Sequence, residues 1–265
     1  MKKLLAQPML SKDDDQAAFP MRRAATVVGI LGGMGPVATA DFYLKLIEAT
    51  PARQDQEHLR TLIWSDPTIP DRTRALLENG ADPTPAIIAG ARLLQNAGAS
   101  LLAVPCNTAH AFLGPVHAAV NMPIIHMIEE TARYIGAIQP PVGAVGLLAT
   151  TGTVQAGLYQ EWLEKRGITV LTPVADDQER YVMASIRRIK SGDTSPCIRA
   201  NLKNAAARLI ASGAQRVIAG CTEIPIGLDE ADVSVPLVDP ARVLAASVVR
   251  HSLTVAGAAV VLREE

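Results

Sequence analysis

The sequence predicts an α/β protein of two pseudo-symmetric halves, each a four-stranded parallel sheet flanked by helices. Three observations lead there. Short aliphatic runs alternate with helical patterns along the chain; three strand-end segments recur at a nearly constant shift; and Ala, Val, Leu, Ile and Gly abound while aromatic residues are only 3 %, as suits buried parallel strands between close-packed helices. With 265 residues the chain is long for one compact core, so two domains or one large α/β unit is expected.

The elements follow in order. Residues 1–25 show no periodicity and are expected to form a mobile N-terminal extension ahead of "TVVGILGG". Lys2 and Lys3 precede an apolar stretch, but Gln7 and Pro8 break it and Asp13, Asp14 and Asp15 follow, so it does not read as a signal peptide. Strands are expected at 27–31, 59–65, 101–104 and 123–125, and a second set at 142–148, 168–171, 216–219 and 235–238. Thr84-Pro85 and Asp239-Pro240 mark helix starts, a capping residue followed by proline at the first helical position. Ile87, Ile88, Ala91 and Leu94 give the first of these helices an apolar face, and Gly98 is its expected stop. Strand, helix, strand in repetition implies right-handed parallel crossovers.

The repeat is the more informative signal. "VGILGGMGPVATADFY" at 28–43 aligns with "VGLLATTGTVQAGLYQ" at 145–160, a shift of 117. "LLAVPCNT" at 101–108 aligns with "RVIAGCTE" at 216–223, a shift of 115, and "MPIIHM" at 122–127 with "VPLVDP" at 235–240, a shift of 113. A duplicated unit explains three strand ends in the same order, and it makes Cys106 and Cys221 counterparts.

In an open parallel sheet the ligand site lies beyond the carboxyl ends of the strands. Both cysteines occupy that location, so halves facing each other across a pseudo-twofold axis would aim two thiols into one cleft. One base and one acid on opposite faces of a planar intermediate suit inversion of a stereocentre. Asn107-Thr108 and Thr222-Glu223 stand where helices begin, a setting expected to favour thiolate through capping and the helix dipole. His110, four residues after Cys106, is expected either to assist that thiol or to hydrogen-bond a neighbouring loop. Cys197 has no counterpart and is expected to be a small buried hydrophobe. The scattered histidines and the thiols show no metal-ligand spacing, so no metal is expected.

Other classes fare less well. Twenty-five basic and 26 acidic residues give a net charge of −1, and no block of like charges offers a nucleic-acid or membrane patch. Three cysteines without a CxxC pair suit a reducing, cytoplasmic setting. The apolar run at 243–262 carries Arg250 and His251 in its middle, which disfavours a membrane span. Gly33, Gly35 and Ala38 satisfy G-x-G-x-x-A, the dinucleotide fingerprint of an NAD-dependent oxidoreductase. Pro36 removes a donor from that loop, however, and the second half carries Thr150, Thr151 and Thr153 there, a set better matched to one carboxylate. Arg72, after the second strand, has the planar fork that suits a carboxylate. Asp239 and His126 close the fourth strands and are expected to cap a helix and to make a local polar contact, respectively.

Taken in order, "GILGGMGP", "IPDRT", "PCNTAHAF", "MIEETA", "LLATTGT" and "AGCTE" resemble the aspartate/glutamate racemase family, from about Thr26 to the C-terminus. The resemblance implies a cofactor-independent isomerase, without pyridoxal phosphate, built as two α/β domains with the active site in the interdomain cleft and commonly a homodimer. It places domain one at 26–122 plus 232–265 and domain two at 123–231. The catalytic pair falls on Cys106 and Cys221, and substrate contacts fall on Met34, Arg72, Asn107, Thr108, Thr151, Thr222 and Lys190. The expected substrate is a dicarboxylic amino acid, aspartate first. Glutamate, a broader amino-acid range, or a diacid isomerised or decarboxylated by the same thiols are the alternatives, and a binding protein without turnover is a further one.

Overall fold

The computed structural model describes residues 26–255; the extension expected at 1–25 and the end of the apolar run at 243–262 lie outside these residues. One sheet contains β1 (Val27–Gly32), β2 (Arg60–Ser65), β3 (Leu101–Ala103) and β4 (Ile124–Ile125) in the order β2-β1-β3-β4. The other contains β5 (Ala144–Ala149), β6 (Thr169–Leu171), β7 (Val217–Gly220) and β8 (Leu237–Val238) in the order β6-β5-β7-β8. Every pairing is parallel. The repeat holds to the level of register. Gly29 pairs with Leu102 and Leu102 with Ile124, while Gly146 pairs with Val217 and Val217 with Leu237, the partners that shifts of 117, 115 and 113 dictate.

Each sheet lies between two helical layers because its central strands are apolar on both faces. Leu31, Leu102 and Val104 pack toward helix Thr84–Asn96 on one face of the first sheet, and Val28, Ile30 and Ala103 toward helices Pro36–Ala49 and Pro240–Val255 on the other. In the second sheet Leu148 and Val217 face helix Pro196–Ala211, and Val145, Leu147 and Ile218 face helices Met127–Gly136 and Leu158–Glu164. Truncating one such buried side chain to alanine costs about 2–5 kcal/mol, so these faces set which strands stay central.

The sheet ladders correct the boundaries expected at 122 and 232. Ile124–Ile125 pairs with the first sheet, and Leu237–Val238 with the second. The chain changes sides after each fourth strand, not before it: helix Met127–Gly136 contributes to the core of the second sheet, and helix Pro240–Val255 to that of the first. Both crossings are capped. His126 Nδ1 accepts from the Glu129 amide at 3.2 Å, and Asp239 Oδ1 from the Ala241 amide at 2.9 Å. Thr84, expected as a cap, is instead the first helical residue, and its amide is held by Asp82 Oδ1 at 2.9 Å. No helix among the described residues is long and apolar enough to cross a membrane.

Gly33 fixes the exit from β1. Its φ is +89°, and a Cβ there would lie 2.3 Å from the backbone N and C of Asp66. Gly33→Ala is expected to lose about 1–2 kcal/mol from the left-handed backbone and about 1–3 kcal/mol more from the forced displacement of Asp66. Thermal denaturation checks it, and an unchanged Tm would refute this account of the turn.

Candidate active site

The carboxyl ends of β1, β3, β5 and β7 converge on two adjoining cavities. The wider, about 340 Å³, is a mouth lined by the loop Gly33 to Ala38, by Arg72 and by Lys190. The narrower, about 30 Å³, lies where Cys106 and Cys221 meet. Met34, Asp71, Arg72, Lys190 and Glu223 line both. Each cysteine comes from the third strand of its own half, so the duplication places the two thiols on one cavity. They are equally buried, each 6 % exposed.

Most residues singled out from sequence gather here. Met34, Arg72, Asn107, Thr108, Thr222 and Lys190 line the narrow cavity beside the two cysteines. Thr151 does not; its neighbour Thr150 does. Thr150 is the cap of helix Thr151–Gln155 and its hydroxyl accepts from the Thr153 amide. Thr151 begins the helix proper and turns into the second half, its hydroxyl accepting from Gln178 Nε2 at 3.3 Å and its amide facing Met183 Sδ.

The side chains of the two residues after Cys106 are held by the other half. Tyr159 donates its hydroxyl to Asn107 Oδ1 at 2.6 Å, and Thr108 Oγ1 lies 2.9 Å from the hydroxyls of both Thr150 and Thr153. Asn107 is 2 % exposed and its Nδ2 has no partner, so an amide donor stands free at the cavity wall. A second close approach lies alongside: a Cβ on Gly152 would come within 2.8 Å of Thr73 Oγ1, next to Arg72. Thr150 and Thr153, expected with Thr151 to suit a carboxylate, both hold Thr108, and Tyr159 carried no signal in the sequence.

Two cations face the cavity. Arg72 Nη1 donates to the Ile69 and Pro70 carbonyls, and Nη2 to Met34 O at 3.2 Å. Lys190 Nζ reaches Met34 O at 3.1 Å and Glu223 Oε1 at 3.0 Å. Burial acts to lower the Lys190 pKa, but Glu223 and the two thiols outweigh it and hold the ammonium above its ordinary range. Glu223, 3 % exposed, also accepts from Cys221 Sγ at 2.9 Å. Its position two residues after the second cysteine was the one signal in the sequence that could have marked it.

The thiolate-favouring setting expected for both cysteines does not hold at Cys221. Burial pushes that thiol well up, and the Glu223 carboxylate adds to the effect against the opposing Lys190. The helices that follow are short, Ile224–Gly227 after Cys221 and a 3-10 turn Thr108–Phe112 after Cys106, so little dipole accumulates. Neither Asn107 nor Glu223 makes a side-chain cap.

His110 takes the second of its two expected roles. Its Nε2 donates to Val104 O at 3.2 Å, and its ring packs edge-on to His126 at 4.5 Å. Burial first, then His126, holds its pKa well below the usual histidine range. The unfolded chain takes up this proton near pH 6.5 and the folded chain does not, so stability is expected to fall as pH drops below about 6.5. A pH series of Tm checks this: the slope is expected to shrink in His110→Leu, and a flat wild-type profile between pH 5 and 6.5 would refute it.

Cys197 departs from expectation. It is exposed in the first turn of helix Pro196–Ala211, with Arg188 Nη1 at 2.9 Å from its sulfur. In the G-x-G-x-x-A loop the Gly33 amide donates to Thr39 Oγ1 at 2.8 Å and Thr39 Oγ1 donates to Gly35 O at 2.8 Å, so the first glycine's donor is turned inward and Pro36 offers none. Among the described residues no group of three or more His, Cys, Asp or Glu could hold a metal ion.

Known proteins share this arrangement of sheets. The chain is 31 % identical over 227 residues to the broad specificity amino-acid racemase RacX of Bacillus subtilis, covering 84 % of this chain and 96 % of that one. It is 28 % identical to a glutamate racemase of Deinococcus radiodurans over 224 residues, 79 % and 67 % of the two chains. The structure of Picrophilus torridus aspartate racemase superposes with a TM-score of 0.76 and 32 % identity, covering 86 % of this chain and 94 % of the other. The sequence profile of Asp/Glu/Hydantoin racemases matches residues 31–248, and with two matched sheets and a relative similar over nearly its whole length, the chain belongs to that racemase family.

Proposed function

We propose that the protein interconverts L- and D-aspartate by proton transfer between two thiols, without a cofactor. The observation that carries this reading is that Cys106 and Cys221, ends of equivalent strands, line one narrow cavity together with Arg72 and Lys190. One sulfur as thiolate takes the α-proton; the electron pair of the broken C–H bond moves into the α-carboxylate; the other sulfur gives its proton to the opposite face. Inversion follows because donor and acceptor stand on opposite sides. Charge supports an acidic substrate at one residue: Lys190 is paired with Glu223 and Asp71 caps helix Arg72–Leu77, whereas Arg72 meets only neutral carbonyls and is left to balance a carboxylate that arrives. In this reading Arg72 and Lys190 receive the side-chain carboxylate, and Met34, Asn107, Thr108, Thr150 and Thr222 surround the α-carbon and its carboxylate. The narrow cavity holds about one water, so substrate enters through the wider mouth and separates the two walls. The enzyme works as a homodimer in the cytoplasm, as the family resemblance and the free thiols suggest.

The test is incubation of the purified protein with L-aspartate in D2O, without added cofactor, following deuterium at the α-carbon together with D-aspartate. No exchange by folded protein, or equal exchange by Cys106→Ser and Cys221→Ser, would sink the two-thiol reading, and a nicotinamide-dependent absorbance change would revive an oxidoreductase. A broader substrate range is a second reading, since the relative similar over most of this chain is named a broad specificity racemase. Glutamate and neutral amino acids in the same assay decide between them.

Tyr159 bears on the same assay. Losing its hydroxyl frees the Asn107 amide to turn, so Tyr159→Phe is expected to raise KM about tenfold, the equivalent of one hydrogen bond of about 1.4 kcal/mol. The effect vanishes in an Asn107→Ala background if the hydroxyl acts through that amide. Additive losses in the double variant would refute it.

A further inference from the structure

We propose that Glu223 is the proton partner of Cys221, so that in the free enzyme Cys221 starts as the acid and Cys106 as the base. This rests on the two-thiol reading above and adds an asymmetry that the duplication alone does not contain. The third residue of each cysteine motif occupies equivalent positions, Thr108 in one half and Glu223 in the other, under the shift of 115 that aligns them. Thr108 is neutral and its hydroxyl is bound to Thr150 and Thr153. Glu223 is a carboxylate with one oxygen 2.9 Å from Cys221 Sγ and the other 3.0 Å from Lys190 Nζ.

That geometry fixes where the proton rests. The other Glu223 oxygen is taken by the Lys190 ammonium, and the carboxylate of an ion pair only accepts, so the hydrogen in the short contact comes from sulfur. A Cys221 thiolate would set two anions in contact where Glu223 is 3 % exposed, with little water to screen them. Burial and Glu223 both raise the Cys221 thiol, in agreement with this placement.

The cycle then balances. The Cys106 thiolate takes the α-proton, the electron pair passes into the α-carboxylate, and the Cys221 S–H bond breaks as its proton joins carbon from the other face. Cys106 is left as a thiol and Cys221 as a thiolate beside Glu223. After product leaves, one proton moves from Cys106 back to the Cys221–Glu223 pair through the single water the cavity can hold. In the reverse direction that water first carries the proton from Cys221 to Cys106; the Cys221 thiolate then takes the α-proton, and the Cys106 S–H bond breaks as its proton joins carbon from the other face. No proton is gained or lost overall.

Alkylation mapped by mass spectrometry tests the asymmetry, using iodoacetamide at pH 8 on the ligand-free protein. The two thiols are equally exposed at 6 %, so access does not bias the comparison, and exposed Cys197 is an internal reference. Cys106 is expected to react at least about tenfold faster than Cys221, and Glu223→Gln to speed Cys221 about tenfold, since the thiolate is the reactive form. Equal rates in the wild type overturn the proposal. So does an unchanged Cys221 rate in a Glu223→Gln variant that melts like the wild type; if that variant does not fold, the wild-type ratio decides alone. Racemisation with equal rates overturns only the role of Glu223, whereas asymmetric labelling in a protein that racemises no amino acid overturns the reading it rests on.

Discussion

Cys106→Ala and Cys221→Ala are each expected to lose racemisation by about 10³-fold, within the usual range for removing a general acid or base. They are also expected to differ from each other in a way a structural lesion cannot imitate. With one thiol left, the α-proton of the enantiomer facing it is still removed and returned on the same face. In D2O one variant therefore exchanges the α-hydrogen of L-aspartate with retention, and the other exchanges that of D-aspartate. Proton magnetic resonance of each enantiomer, incubated separately, reads this directly. If both variants exchange the same enantiomer, or if either still forms the opposite one at the wild-type rate, the two sulfurs do not act on opposite faces. Stability should change little, because a small thiol at a cavity wall leaves only a small void when truncated.

Much of this site was legible in sequence because the duplication carries positional information. Aligning "LLAVPCNT" with "RVIAGCTE" set Leu102 against Val217, and the ladders pair those residues with Ile124 and Leu237 as the third aligned segment requires. The strand partners and the meeting of the cysteines both follow. What was misplaced turns on single residues. The crossings were expected before the fourth strands, whose two-residue length leaves almost no pattern to read. Thr151 was preferred to Thr150 because a motif cannot say which of two adjacent hydroxyls caps a helix and which continues it. The bracing of Asn107 by Tyr159 joins positions 52 residues apart in different halves, and no local pattern reports such a contact. Cys197 was assigned to the core on the habits of its residue type, whereas its place in the first turn after Pro196, beside Arg188, keeps it at the surface.

Arg72 is where function and stability are expected to part. It is 9 % exposed, its Nε is buried without a partner, and its other contacts are neutral carbonyls at 3.0–3.2 Å. Among the described residues it forms no ion pair. A buried cation in that state is costly to the fold and matched to an anion that arrives later. Arg72→Leu is therefore expected to weaken aspartate binding about 10²–10³-fold, the cost of leaving a buried carboxylate unpaired, while the Tm of the ligand-free protein stays level or rises. Arg72→Lys should recover little, since one ammonium cannot span the Ile69, Pro70 and Met34 carbonyls and still present a planar fork. Aspartate should raise the Tm of the wild type through binding to the native state and leave that of Arg72→Leu unmoved. A neutral amino acid, lacking the second carboxylate, should lose far less on the same substitution. An unchanged KM for aspartate in Arg72→Leu, or an equal loss for aspartate and a neutral amino acid, would place the second carboxylate elsewhere and return Arg72 to the role of a loop tie.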